Sequence, residues 1–315
     1  MAEVRLTADV VYARHGVGHL AGPARDRDLL LDVYEPQTRA DGAARPAIVL
    51  VFGGAFHRGA KEADSFSLGE GFNTSAAEYA KRWAAQGYVT FCIDYRLIPE
   101  DPRPDGTRVL GSPDTVGPQR MNQSRATMGL PPATLEMLAN GVEAGAMDTD
   151  AAVAFIRANA ERWGVDPRRV ALWGWSAGAR NVLNAVFARG TEAAAVIALS
   201  PYMHDLDLAR NVPGARPGPP VLLAGADRDL PHIAAQLPAM VRWLRERLPV
   251  VRQLTIVDVD HFYAADALVE GDAEPGTRVS LEQAMTDFLH ETIGMPDAGS
   301  GHDPAHAPHP SPAAR

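Results

Sequence analysis

Residues 168–188, RRVALWGWSAGARNVLNAVFA, have the pattern of a buried strand, a sharp turn and a helix. The turn holds Gly-Trp-Ser-Ala-Gly at residues 174–178, with Ser176 at its centre. In this context the pattern predicts a nucleophile elbow, in which a strained serine holds its hydroxyl above the end of the strand. Gly174 and Gly178 lack a Cβ, which lets the strand and the helix approach closely. The alternative is a small serine tolerated in a tight turn.

Short apolar runs alternate with helical patterns along the rest of the chain. This order predicts an α/β fold with a mostly parallel, twisted central sheet flanked by helices. The runs lack strict polar alternation, as is typical of strands that are covered on both faces. The predicted strands cover residues 29–34, 47–52, 88–94, 169–174, 194–200, 220–225 and 253–259, after an earlier edge strand within residues 4–13.

The composition excludes several classes of protein. The chain has 315 residues, of which 46% are hydrophobic, and a net charge of −9, which argues against nucleic acid or an anionic membrane as the main partner. A single cysteine excludes an intrachain disulfide framework and a cysteine zinc cluster. The N-terminus has no apolar signal-peptide core, and no stretch is long enough to span a membrane, so we expect a cytoplasmic protein.

Two segments interrupt the alternation of strands and helices. Residues 98–147 contain no clear strand and are rich in Pro, Gly and Met, which predicts an inserted lid within one domain of residues 1–295. Residues 296–315 have the composition of a disordered tail. Three histidines in that tail could bind a metal adventitiously, but nothing there preorganises ligands, and we expect neither a metal nor a cofactor.

A serine hydroxyl needs a base, and this fold places the base on a loop after a late strand. His261 directly follows the last predicted core strand and is therefore the expected base. The acid that orients it should lie in the turn after residues 220–225, where Asp227 and Asp229 are both candidates. Asp227 is nearer to the strand end and is favoured, whereas Asp229 could instead cap the next helix.

A tetrahedral intermediate also needs donors for its oxyanion. The turn after residues 47–52 contains Gly-Gly-Ala, whose small side chains leave the backbone N–H groups free to point inward. Gly54 and Ala55, together with Ala177 after the serine, are the expected donors. His57 lies near this loop, where it could contact substrate.

The chain resembles the α/β-hydrolase esterases, and is most similar to the hormone-sensitive-lipase-like and acetylesterase group. The matching pieces run in family order over residues 28–293, and they read LLLDVYEP, FGGAF, IDYRLIPE, WGVDPRRVALWGWSAGA, PPVLLAGADRDLP and DHFY. Three departures concern the site. Phe52 and Ala55 replace the ends of the usual His-Gly-Gly-Gly, and Trp175 replaces a small or acidic residue. The spacing from Gly225 to the acid is one residue shorter than usual. The Gly-Gly-Ala-x loop is similar to that of esterases that accept bulky alcohols.

The resemblance implies a serine carboxylesterase that hydrolyses small to medium esters without a cofactor. The substrate pocket is expected to include Phe56, His57, Trp175, Met128, Met137 and Phe262. Two alternatives stay open: a ligand-binding homologue that has lost catalysis, and a related acyl hydrolase acting on lactones, thioesters, arylformamides or peptides. The sequence does not define the oligomeric state, and a homodimer is compatible with it.

Overall fold

In a computed structural model that describes residues 3–37, 44–68, 71–271 and 276–294, ten strands form one sheet. Two further strands form a hairpin, so the described ranges contain twelve strands in all. They are β1 (Val4–Val17), β2 (Arg25–Pro36), β3 (Arg45–Val51), β4 (Phe66–Leu68), β5 (Gly71–Asn73), β6 (Val89–Ile93), β7 (Val165–Trp175), β8 (Ala195–Leu199), β9 (Val221–Ala226), β10 (Val251–Ile256), β11 (Leu268–Gly271) and β12 (Arg278–Ser280). Their order in the sheet is β1-β2-β6-β3-β7-β8-β9-β10-β11-β12, and β4 pairs with β5 in a separate hairpin.

The centre of the sheet is parallel and its edges are antiparallel. The six strands from β6 to β10 in the sheet order pair in parallel, while β1 and β2 at one edge and β11 and β12 at the other pair antiparallel. Every residue of β3, β6, β8 and β9 is buried, because helices cover both faces of these strands. The prediction of a mostly parallel α/β sheet is therefore confirmed.

Eight α-helices flank the sheet within the described ranges. They are α1 (Ala76–Ala85), α2 (Pro118–Thr127), α3 (Leu135–Ala158), α4 (Ala160–Trp163), α5 (Ala177–Asn184), α6 (Asp205–Asn211), α7 (Pro231–Arg245) and α8 (Leu281–Ile293). Short 3-10 turns occupy Ile98–Glu100 and Pro113–Val116, and a π-helical turn at Ala185–Arg189 continues α5. Three of the helices begin with a serine or threonine whose hydroxyl accepts a backbone N–H of the first turn, namely α1, α3 and α8.

The predicted insertion at residues 98–147 divides into two different parts. Its first part forms the two 3-10 turns and α2, as expected for a segment without strands. Its last part is the beginning of α3, a 24-residue helix that runs on to Ala158 with 13 buried residues. The end placed at residue 147 therefore falls inside a helix that packs in the core. The tail predicted at 296–315 lies outside the described residues.

A buried ion pair between Asp148 of α3 and Arg96, which follows β6, connects the helix to the sheet. The Asp148 carboxylate is fully buried and accepts hydrogen bonds from the Arg96 backbone N–H at 2.8 Å and from its guanidinium Nη2 at 2.8 Å. His15 Nδ1 of β1 lies 2.7 Å from the same carboxylate. Burial acts to raise the pKa of Asp148, but the bonds from His15 and Arg96 outweigh it, and the pKa lies below its ordinary value.

Asp148→Asn is expected to lower the free energy of unfolding by about 3 kcal/mol or more, because it leaves the Arg96 charge buried without a counter-charge. The measurement is urea unfolding at neutral pH. Glu136→Gln, an exposed change on the same helix, is the control and should alter stability by less than about 0.5 kcal/mol. Equal stability of the two variants would show that the pair contributes nothing.

Candidate active site

Ser176 sits at the junction of β7 and α5 in a strained backbone conformation. Its φ is 54° and its ψ −115°, a region that residues with a side chain rarely adopt. The Ser176 N–H donates to the Leu199 carbonyl of β8 at 2.8 Å, and its own carbonyl accepts the Arg180 N–H. These two bonds hold the turn to the neighbouring strand and start the helix, as the elbow pattern predicts.

The elbow needs glycine at positions 174 and 178, because backbone atoms of neighbouring segments lie where a Cβ would be. A Cβ at Gly178 would lie 2.0 Å from the Val51 carbonyl oxygen of β3. A Cβ at Gly174 would lie 2.3 Å from the Gly178 carbonyl oxygen. Any side chain at either position would therefore force the helix away from the sheet.

The histidine predicted as the base lies beside the serine. His261 Nε2 is 3.0 Å from Ser176 Oγ, and His261 Nδ1 is 2.7 Å from Asp229 Oδ1. A carboxylate can only accept, so the proton lies on Nδ1 and leaves Nε2 free to accept the serine hydroxyl. The imidazole is buried, with Trp175 and Phe262 flanking it at centroid distances of 5.3 and 5.4 Å.

Asp229, not Asp227, contacts the histidine, so the preference for Asp227 is wrong. After β9 the chain turns back on itself, and the Asp229 N–H donates to the Ala226 carbonyl. This turn returns the Asp229 carboxylate to the strand end, where its Oδ2 accepts the Ala226 N–H at 3.2 Å. Closeness to the strand end along the sequence therefore did not identify the carboxylate that contacts His261.

Asp227 contacts the backbone of the loop that precedes His261. Its carboxylate accepts the backbone N–H groups of Asp258, at 2.8 Å, and Val259, at 3.2 Å. Those residues begin the loop that carries His261, and Asp258 itself has a φ of 61°. Asp227 thus holds the loop that carries His261 without contacting the imidazole.

The Asp229 carboxylate is saturated by donors. Its Oδ2 accepts the Ser200 hydroxyl at 2.6 Å, and its Oδ1 also accepts the Leu230 N–H at 2.7 Å. The Ser200 oxygen in turn lies 2.9 Å from the Tyr263 hydroxyl. Burial acts to raise the pKa of Asp229, but the bonds from His261 and Ser200 outweigh it and hold the pKa below its ordinary value. The carboxylate therefore stays ionised.

Ser200 was missed in the sequence, although it ends a predicted strand next to the elbow strand. It is fully buried and has a φ of 47°. The same strained backbone at the ends of β7 and β8 turns both serine side chains toward the site.

The Gly-Gly-Ala loop after β3 is held by its own hydrogen bonds. The Gly54 carbonyl accepts the N–H groups of His57 and Arg58, and His57 Nδ1 lies 2.6 Å from the Ala55 carbonyl oxygen. Gly54 has a φ of 123°, and a Cβ there would lie 2.0 Å from the Arg58 carbonyl oxygen, which restricts the position to glycine. Burial lowers the pKa of His57, so its imidazole is neutral.

A cavity that is open to solvent on one side lies beside Ser176. Ala55, Phe56, Ser176 and Ala177 line it on the side of the elbow. The remaining lining residues come from elsewhere in the chain, and they are Arg120, Met121, Arg180, Ser200, Tyr202, His232 and Ile233.

The predicted pocket residues have different outcomes. Phe56 lines this cavity, whereas His57 supports the loop beneath it and Met128 ends α2 without joining the lining. Met137 lines a separate depression near Gly18 and Pro99. Met121, from the same predicted lid, lines the cavity instead. The sequence pattern could indicate that this segment approaches the site, but not which face of α2 points inward.

The parallel sheet, the strained elbow and the loops after β3, β9 and β10 together define an α/β-hydrolase fold. The chain is similar to esterase 2 of the planctomycete Thermogutta terrifontis, phosphorylated by paraoxon, with 16% identity and a TM-score of 0.55 over 93% of this chain and 95% of that one. Its propionate-bound form matches at 17% identity and a TM-score of 0.55 over 95% and 97%. Its native form matches at 17% identity and a TM-score of 0.53 over 95% of each chain.

Comparisons of sequence cover less of the chain. A family model described as BD-FAE matches residues 139–194, from within α3 through the elbow to the residue before β8. No curated protein sequence matches significantly. Across the described ranges, no helix has the length and hydrophobicity needed to cross a membrane.

Asp229→Asn should lower kcat by about 10⁴-fold, because the amide cannot hold the His261 tautomer that accepts the serine proton. Asp227→Asn keeps the imidazole partner and should lower kcat by less than about tenfold. Initial rates on a soluble aryl acetate, with melting temperatures for both variants, make the comparison. If Asp227→Asn were the more damaging change at equal stability, Asp229 would not be the orienting acid.

Proposed function

We propose that the protein is a serine carboxylesterase acting through an acyl-enzyme. The observation that carries the proposal is the continuous line of hydrogen bonds from Ser176 through His261 to Asp229 at a strained elbow. An ordinary buried serine does not need a positive φ, a histidine at 3.0 Å and a saturated carboxylate behind it. The covalent adduct that the Thermogutta terrifontis esterase forms with paraoxon supports the same chemistry by analogy of fold.

The reaction follows from the positions of these groups. Ser176 attacks the ester carbonyl while His261 Nε2 takes its proton, and Asp229 stabilises the imidazolium that forms. The alcohol leaves with the proton from His261, and water then repeats the two steps on the acyl-enzyme. The N–H groups of Gly54, Ala55 and Ala177 are the proposed oxyanion donors, supported by the positions of Ala55 and Ala177 in the lining beside Ser176.

The substrates on this proposal are small-molecule esters. The first part of the 98–147 segment acts as the lid, since α2 contributes Arg120 and Met121 to the cavity. A cytoplasmic location and a homodimer stay predictions. Lactones, thioesters, arylformamides and peptides use the same machinery, and a panel of these compounds beside simple esters separates them.

Ser176→Ala should abolish ester hydrolysis, with a loss on the order of 10⁶ in kcat, and should prevent labelling by a fluorophosphonate. Ser67→Ala, an exposed serine on β4, is the matched control and should keep full activity and labelling. Mass spectrometry locates the adduct. A wild-type protein that neither takes the label nor hydrolyses any ester in the panel would be a binding homologue, and the proposal would fail.

Met121→Ala should change the preference for acyl length, because it shortens a buried side chain of the cavity lining. We expect the ratio of kcat/KM for hexanoate over acetate esters to change by about tenfold. Met285→Ala removes a buried methionine of α8 that does not line the cavity, and it controls for the loss of stability. An unchanged ratio in Met121→Ala would show that α2 does not shape the acyl pocket.

A further inference from the structure

Two arginines face one tyrosine ring in the cavity beside Ser176. The guanidinium carbon of Arg120 lies 5.8 Å from the centroid of the Tyr202 ring, and that of Arg180 lies 5.5 Å from it. All three side chains line the cavity. Both contacts are in the range of cation–π interactions, so the ring holds two like charges near each other.

Only one of these charges is neutralised. Arg180 Nη2 donates to Asp207 Oδ2 at 2.8 Å, and both side chains are buried. The other Asp207 oxygen accepts the Gly111 N–H and the Thr115 hydroxyl. In the part of the chain that the structure describes, no carboxylate pairs with Arg120. The cavity therefore carries an uncompensated guanidinium.

Two buried nitrogens of the lining also lack a partner. Arg180 Nε and His232 Nε2 make no hydrogen bond within the described residues. Arg180 is only 2% exposed, so water does not readily satisfy its Nε. Leaving such a group unpaired costs free energy, and a built site for a hydrogen-bonding ligand explains the cost.

Burial and, after it, the neighbouring cations lower the pKa values of Arg120 and His232. Burial and the nearby Arg180 lower the pKa of Arg120 to about 10. Burial, followed by Arg120 and His261, lowers the pKa of His232 to about 4, so this imidazole is neutral at pH 7. The two carboxylates that face the region, Asp207 and Asp229, are already engaged by Arg180 and His261.

We propose that the ester substrate carries a carboxylate, and that Arg120 binds it with Arg180 Nε and His232 as neighbouring polar groups. The inference rests on the proposed esterase function and names its substrate class. A guanidinium presents two parallel donors that match a carboxylate. Met121, Ile233 and Phe56 supply apolar walls of the same cavity, which suits a hydrocarbon part of the substrate.

The carboxylate could belong to the acyl part or to the leaving alcohol, and two pairs of esters distinguish these cases. Monomethyl glutarate is compared with methyl 5-amino-5-oxopentanoate, and 4-acetoxybenzoate with 4-acetoxybenzamide. Each pair exchanges a carboxylate for a neutral group of similar size. Proton release at pH 7.5 gives kcat/KM for all four compounds.

The wild-type protein should prefer the carboxylate member of one pair. Arg120→Gln should lower that preference by about tenfold or more, the value of a lost charged hydrogen bond. Arg242→Gln, an exposed arginine on α7, removes the same charge far from the cavity and should leave the preference unchanged. Preference for the neutral member in both pairs, with the same ratios in Arg120→Gln, would overturn the inference while the esterase function stands.

Binding provides a readout that does not need turnover. Calorimetry on Ser176→Ala measures the Kd of the carboxylate ester that the wild-type protein prefers. If the wild-type protein hydrolyses no ester, the Kd values of both carboxylate esters are measured. Adding Arg120→Gln should weaken this binding by about tenfold or more. An unchanged Kd contradicts the carboxylate site. Failure of the esterase function is seen separately, as absence of both fluorophosphonate labelling and hydrolysis of the neutral esters.

Discussion

The contact of the Gly178 backbone with the Val51 carbonyl is the constraint on which the site depends. It allows α5 to begin directly against β3 and β7, with no side chain between them. The close approach forces Ser176 into its positive φ and points the hydroxyl away from the sheet. It also brings the loop after β3, with Ala55, to the same side as Ala177. One backbone contact thus aligns the proposed nucleophile with its proposed oxyanion donors.

The central strands could be predicted from the sequence because burial on both faces leaves a continuous apolar run, as in β3 and β9. The short edge strands β11 and β12 were missed, since half-exposed strands of three or four residues leave little pattern. Ser176 and His261 could be singled out because the fold fixes their places after particular strands, and the structure brings them within 3.0 Å of each other. These predictions all depend on the regular part of the sheet.

The errors fall where the backbone leaves regular structure. Asp229 reaches His261 because a turn brings it back to Ala226, and linear distance from a strand end cannot represent such a turn. The cavity lining is a similar case, because Arg120 and His232 lie on helices far apart in sequence. Which face of a helix meets the site depends on its rotation, and α2 has too little apolar periodicity for its sequence to define that rotation.

The residues that line the cavity include two arginines and no carboxylate, although the chain as a whole is negative. The net charge of −9 is spread over 315 residues and repels anions only weakly, since salt screens exposed charges beyond about 8 Å at physiological ionic strength. Inside the cavity, Arg120 acts at short range and with less screening. Asp229 contacts His261 and forms no ion pair with Arg120 within the described residues. Selection for an anionic ester would therefore be made at the cavity itself, by one arginine.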